Sequence, residues 1–108
     1  MSSGKAALVT GSARGIGAAT VTLLASRGWN VVVNYTNSAD IAEKLAKDLE
    51  AKNQGIKAVA IKADLSSLEG PKQLADETIK VFGKVDALVH NASVMLANGA
   101  FEASARAW

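Results

Sequence analysis

Glycines at positions 28, 55 and 83 stand 27 and 28 residues apart, and each closes a stretch of helical character before an apolar, strand-like run. A glycine just past a helix takes the left-handed conformation at little strain, and a cation in the last turn meets the exposed carbonyls, as Arg27, Lys52 and Lys80 would here. The spacing therefore predicts a repeated strand–helix unit. Strands are expected over 5–10, 31–35, 56–63 and 86–91, alternating with helices over 15–27, 39–53 and 67–82. Ile16, Ala19 and Leu23 would form the inner face of the first helix. Ile41, Leu45 and Leu49 would do the same in the second, leaving Glu43, Lys44, Lys47, Asp48 and Glu50 to water. Ser66 and Glu69 have capping-box spacing, and Pro71 suits a first turn.

Strands one, two and four contain Ala-Ala-Leu-Val, Val-Val-Val and Ala-Leu-Val, the continuous apolar runs of a parallel sheet covered on both faces. Strand three carries Lys57 and Lys62, which suits an edge. Right-handed crossovers then give the order 3-2-1-4, half of a doubly wound sheet. The fold class is α/β, a Rossmann-like three-layer sandwich in a single domain spanning 1–108.

Composition excludes several functions. Of 108 residues 49% are apolar and 20% charged, enough to bury a core, while a net charge of +2 without a basic cluster argues against nucleic acid or an anionic membrane as partner. There is no cysteine and one histidine, so a disulfide framework, a thiolate nucleophile and a structural zinc site are not expected. No secretory or membrane-spanning run is present, and a cytoplasmic location is the default expectation. His90, at a strand end, reads as a packing residue rather than an acid–base catalyst. Trp29 and Phe82 read as caps of the core.

Strand one runs into Thr10-Gly11-Ser12-Ala13-Arg14-Gly15-Ile16-Gly17, where the first helix begins. Glycines allow a tight turn and close ligand approach, and a helix start offers unpaired amides and partial positive charge to a pyrophosphate. A plain strand-to-helix turn is the alternative. The spacing is not G-x-G-x-x-G, and no G-K-[ST] triplet exists for a P-loop. It is T-G-x-x-x-G-x-G, and Asp64-Leu65 follows strand three while Asn91-Ala92 follows strand four. In these three segments the chain resembles the amino-terminal half of the short-chain dehydrogenase/reductase family.

The resemblance implies a nicotinamide dinucleotide site. Gly11, Ser12, Arg14, Gly15, Ile16 and Gly17 would form the diphosphate turn, with Ile16 beside the nicotinamide ribose. Asp64 and Leu65 would border the adenine, although Asp64 alone also reads as a solvated loop acid. Asn91 and Ala92 would support the adenosine ribose and the central strands. Ser93 stands where the family usually has glycine, and serine restricts that loop's backbone. An NAD site places a carboxylate at the end of strand two, whereas a 2′-phosphate is repelled by one and drawn to arginine. Strand two ends Asn34-Tyr35-Thr36-Asn37-Ser38, with no acid before Asp40. Arg14 matches the arginine of the family's NADP-preferring members, and Asn37 and Ser38 can donate to phosphate oxygens. With Asn34 and Tyr35 they complete the candidate set, and NADP(H) is the expected cofactor. The bland reading is an exposed Arg14 and helix-capping Asn37 or Ser38.

In the resembled family a serine, a Tyr-x-x-x-Lys pair and an asparagine carry the chemistry, on a small carbonyl or alcohol. Here the only tyrosine, Tyr35, has Ala39 four places on. The chain thus reads as the cofactor-binding part of an oxidoreductase, truncated before its catalytic segment and inactive alone. The alternatives are a non-catalytic NADP(H)-binding module and a partner in two-chain complementation. Phe101, Ala105 and Trp108 have helical spacing, so a last helix is expected to start and stop short. An uncovered fourth strand, or that partial helix, would make the chain a homo-oligomer.

Overall fold

A computed structural model of the chain describes residues 4–91. Four parallel strands, β1 (Ala6–Val9), β2 (Asn30–Tyr35), β3 (Ala58–Lys62) and β4 (Ala87–Val89), lie in the expected order β3-β2-β1-β4. Between them run α1 (Gly15–Ser26), α2 (Ala39–Lys52) and α3 (Gly70–Phe82). The register sets Leu8 beside Val32 and Leu88, and Val9 beside Val33 and Val89.

The apolar runs divide by alternation. Ala7, Val9, Val31 and Val33 point to one face and pack with Val21, Ala25, Ala42, Ala46 and Leu49 of α1 and α2. Leu8 and Val32 point to the other, where Leu74 of α3, with Ala63 and Leu65 from the segment between β3 and α3, closes a second cluster. Every β1 residue is buried, as a strand covered on both faces requires. Trp29 lies against the first cluster and Phe82 against the second.

The glycine period holds. Gly28, Gly55 and Gly83 have φ of 89°, 92° and 79°. After α1 the motif is complete: Trp29 N–H donates to Leu24 O (3.1 Å) and Gly28 N–H to Ala25 O (3.0 Å), satisfying carbonyls the helix leaves open.

Three expectations are corrected. The buried face of α1 is Gly17, Val21 and Ala25, whereas Ile16 and Leu23 are 77% and 53% exposed and Ala19 is exposed too. This helix is apolar nearly all round, so its pattern does not select a face; close packing at Gly17 does. In α2 the buried residues are Ala42, Ala46 and Leu49, with Leu45 half-buried and Ile41 turned outward, since small alanines let the helix lie close to the sheet. The capping box before α3 does not form. Ser66 instead donates its amide and hydroxyl to Asp64 Oδ1, and Ser67 Oγ accepts from Gly70 N–H at 3.0 Å. The helix therefore starts at Gly70, three residues later than expected. A Cβ there would strike Asp64 O, so only glycine fits.

β3 is an edge, as its lysines suggested. The sequence reading missed Glu50, whose Oε2 accepts from the outward N–H of Ala58 at 3.0 Å and takes up part of that open ladder. At the near end of β1, Asp86 makes a two-way link to Ala6. Its Oδ2 accepts from Ala6 N–H and its own N–H donates to Ala6 O, both at 2.8 Å.

Two outcomes follow from this packing. Val21→Ala is expected to cost about 2 kcal/mol by urea unfolding, and Leu23→Ala less than about 0.5 kcal/mol; the reverse ranking would mean that α1 is rotated. The Ala6 amide, and then Lys84 at 3.3 Å, hold the Asp86 carboxyl below its usual range against the opposing effect of desolvation. A carboxyl lowered in the folded state stabilises above its unfolded pKa, about 3.9, and loses that contribution as pH falls through the folded value. Asp86→Asn should therefore flatten the loss of melting temperature below about pH 4, seen by thermal melts across that range.

Candidate dinucleotide site

The glycine turn is built from backbone groups that neighbouring strands hold in place. Thr10 N–H donates to Val89 O (3.0 Å), and Thr10 Oγ1 accepts from Asn91 N–H (2.7 Å), tying the end of β1 to the end of β4. Gly11 and Gly15 both have φ of 60°, so the chain reverses there without a Cβ penalty. Gly17 is a close approach of another kind. A Cβ on it would meet Gly11 O, Asn91 Nδ2 at 2.6 Å and Ser12 Cα at 2.8 Å. Helix α1 can begin this near the strand end only because position 17 has no side chain.

That geometry sorts the turn's amides. Gly11 N–H donates to Asn34 Oδ1 and Ser12 N–H to Asn34 O. The amides of Ala13, Arg14, Gly15, Ile16 and Gly17 have no acceptor among the described residues. They cluster where the helix carries partial positive charge, which is what a diphosphate needs. The arrangement can bind an anion through the main chain alone.

The candidate side chains fall into two groups. Ser12 and Asn34 are buried, and their polar atoms are engaged inside the fold. Ser12 Oγ donates to Val9 O (2.7 Å) and accepts from Asn34 N–H (2.8 Å), so both residues shape the turn and neither offers a free side chain to a ligand. Leu65 likewise points its side chain into the second core cluster. Arg14, Asn37 and Ser38 line two adjoining grooves of about 240 and 300 Å³ between the turn and the end of β2, with Tyr35 in the first and Asp40 in the second. Arg14 is exposed, and its guanidinium has no ion partner among the described residues. Ser38 occupies the N-cap position of α2 but makes no side-chain cap, so the capping alternative is not realised. Ile16 stands free beside the turn.

Asp64 sits at the far side, after β3. Donation from the Ser66 hydroxyl (2.6 Å), and next from the Ser66 amide (2.9 Å), holds its exposed carboxyl below the usual range. Asn91 Nδ2 donates to Gly11 O at 3.3 Å, a role in supporting the turn. Ala92, Ser93 and the expected last helix lie outside the described residues. Sequence reasoning named Asn34 without seeing its function. The available signal was a polar residue directly after Val-Val-Val in a buried strand, which must find partners. A larger hollow, about 420 Å³, lies at the opposite end of the sheet between the ends of α1 and α2. Helix carboxyl ends repel anions, so it offers no second phosphate site despite Arg27 and Lys52.

Among the described residues no helix is long and apolar enough to cross a membrane. Residues 5–108 match the family model for short chain dehydrogenases. A short-chain dehydrogenase/reductase of Pestalotiopsis microspora is 50% identical over 92 residues, which cover 85% of this chain and 34% of the relative. A short chain dehydrogenase of Burkholderia cenocepacia, solved in complex with NADP, superposes with a TM-score of 0.82 at 33% identity, covering 96% of this chain and 49% of that one. A blue fluorescent protein from a metagenomic library, solved with NADPH, gives 0.79 at 41% identity over 88% of this chain and 38% of its own. The chain thus spans about a third of the length of the curated relatives it matches. With the family model matched over residues 5–108 and the sheet in the order β3-β2-β1-β4, the chain belongs to the short-chain dehydrogenase/reductase family.

Proposed function

We propose that this chain is the NADP(H)-holding part of an oxidoreductase that moves a hydride between the nicotinamide and a small carbonyl or secondary alcohol. The observation that carries the reading is the cluster of amides at the start of α1, without acceptors among the described residues, beside a groove lined by Arg14, Asn37 and Ser38. The amides of residues 13–17 would hold the diphosphate, with Gly11, Gly15 and Gly17 permitting its approach. Arg14, with Asn37 and Ser38, would neutralise and hydrogen-bond the 2′-phosphate. Asp64 and the backbone of Leu65 would border the adenine, Tyr35 the groove wall, and Asn91 and Ala92 the ribose side. The exposed Ile16 would shield one face of the nicotinamide ribose from water. When bound, the nicotinamide supplies or accepts the hydride.

The reading is in keeping with the NADP and NADPH complexes of the two solved neighbours. No Tyr-x-x-x-Lys pair occurs in the 108 residues, so we propose that they hold nucleotide without turning over a carbonyl. The 38% exposure of Leu88 on β4 among the described residues favours a second reading, an NADP(H) module that self-associates through β4.

Fluorescence titration with both reduced nucleotides tests the first reading. The chain should bind NADPH more tightly than NADH, and Arg14→Ala should weaken NADPH about 10- to 100-fold while leaving NADH nearly unchanged. Tighter NADH binding would transfer the ribose contact to Asp40 and refute the role of Arg14. For the second reading, sedimentation at roughly micromolar concentration should give dimers or larger species; a monodisperse monomer overturns it.

A further inference from the structure

We infer that Asn34 is a positioning residue for nucleotide binding: it clamps the peptide of Gly11 so that the phosphate turn is already shaped before the ligand arrives. The inference rests on the nucleotide-binding reading above and deepens it. Asn34 is 1% exposed at the end of a buried strand run. It joins three segments through four bonds. Oδ1 accepts from Gly11 N–H (2.8 Å), Nδ2 donates to Ile61 O (3.3 Å), the backbone N–H donates to Ser12 Oγ (2.8 Å), and the backbone O accepts from Ser12 N–H (3.0 Å). From the other side Asn91 Nδ2 reaches Gly11 O. The two peptide groups flanking the Gly11 Cα are thus both held, the N–H of one by the carboxamide of Asn34 near the end of β2 and the C=O of the other by the carboxamide of Asn91 beyond β4.

The chemistry of position 34 is narrow. One side-chain end must accept and the other must donate, across the gap between the turn and β3, and only an amide of this length does both. By taking the Gly11 amide, Asn34 removes from the turn the one donor nearest the strand, so the donors left open are those grouped at the helix start. Pre-shaping of this kind raises affinity by lowering the ordering cost of binding. Aspartate is the informative replacement. It keeps the acceptor for Gly11 but sets a carboxylate oxygen against Ile61 O, which disfavours the charged form. Protonation restores the donor. Charged or titratable side chains in the segments around this position are those of Arg14 on the turn, Tyr35 on β2, Lys62 and Asp64 at the end of β3, and His90 beyond β4.

The test is calorimetric titration of the 108-residue chain with NADP+ from about pH 8 to about pH 5, using wild type, Asn34→Asp and Asn34→Ser, with the folded fraction of each measured by circular dichroism. Asn34→Asp should bind about tenfold more weakly than wild type at the upper pH and recover toward the wild-type value as pH falls. Asn34→Ser, which adds no buried charge, should stay about tenfold weaker throughout. A merely structural role would lower the folded fraction without this pH-dependent ratio. If wild type binds and both folded variants match it at every pH, the inference is overturned alone. If wild type itself does not bind, the function reading fails and carries this inference with it. Should the aspartate variant not fold, the serine variant decides by its affinity.

Discussion

The rest of the molecule depends on the place where α1 meets β1 with no side chain between them. Gly17 lies against the Gly11 carbonyl, Ser12 and Asn91, in a space that a single methyl group would overfill. That contact sets how far the helix sits from the sheet and how it is turned about its axis. Val21 and Ala25 follow Gly17 inward at intervals of four, and Ile16 and Leu23 are thereby sent outward. The same rotation leaves the first amides of the helix pointing past the end of β1. The packing of α1 and the exposure of its first amides are two results of one missing side chain.

Around that contact the fold divides its labour by distance from the sheet's carboxyl end. The middle of the sheet is apolar and closed on both faces, by α1 and α2 on one side and α3 on the other. At the carboxyl end the buried polar residues Thr10, Ser12 and Asn34 stitch the strands to the turn. Further out, Arg14, Asn37 and Ser38 line the grooves, with no side-chain hydrogen bond or ion pair among the described residues. Fixed polar atoms lie inside and available ones outside, which is the gradient a preformed binding loop requires.

Much of this was legible from residue order. The glycine period, the strand order, the lysine-marked edge and the turn all rest on short-range rules of backbone chemistry, and those rules act locally. What was hidden depends on contacts between distant segments. α1 is apolar on nearly every side, so counting apolar positions put Ile16, Ala19 and Leu23 inward, when the close approach at Gly17 dictates otherwise. Ser66 and Glu69 have the spacing of a cap, yet the Asp64 carboxylate captures Ser66 first, and Gly70 must fit against Asp64 O. Asn34 was named as a ligand contact because its pairing with Gly11 and Ile61 spans 23 and 27 residues, beyond any motif.

The two margins of the sheet are chemically unequal. On the β3 side, lysines at 57 and 62 and the Glu50 carboxylate on Ala58 make the approach of a foreign strand unfavourable. On the β4 side, the described residues present Ala87, Leu88 and Val89 with no comparable obstruction. Among the described residues, the chemistry that discourages an added strand is thus confined to one margin. The glycine turn stands two strands in from the blocked margin and directly beside β4, to whose end Thr10 and Gly11 are tied.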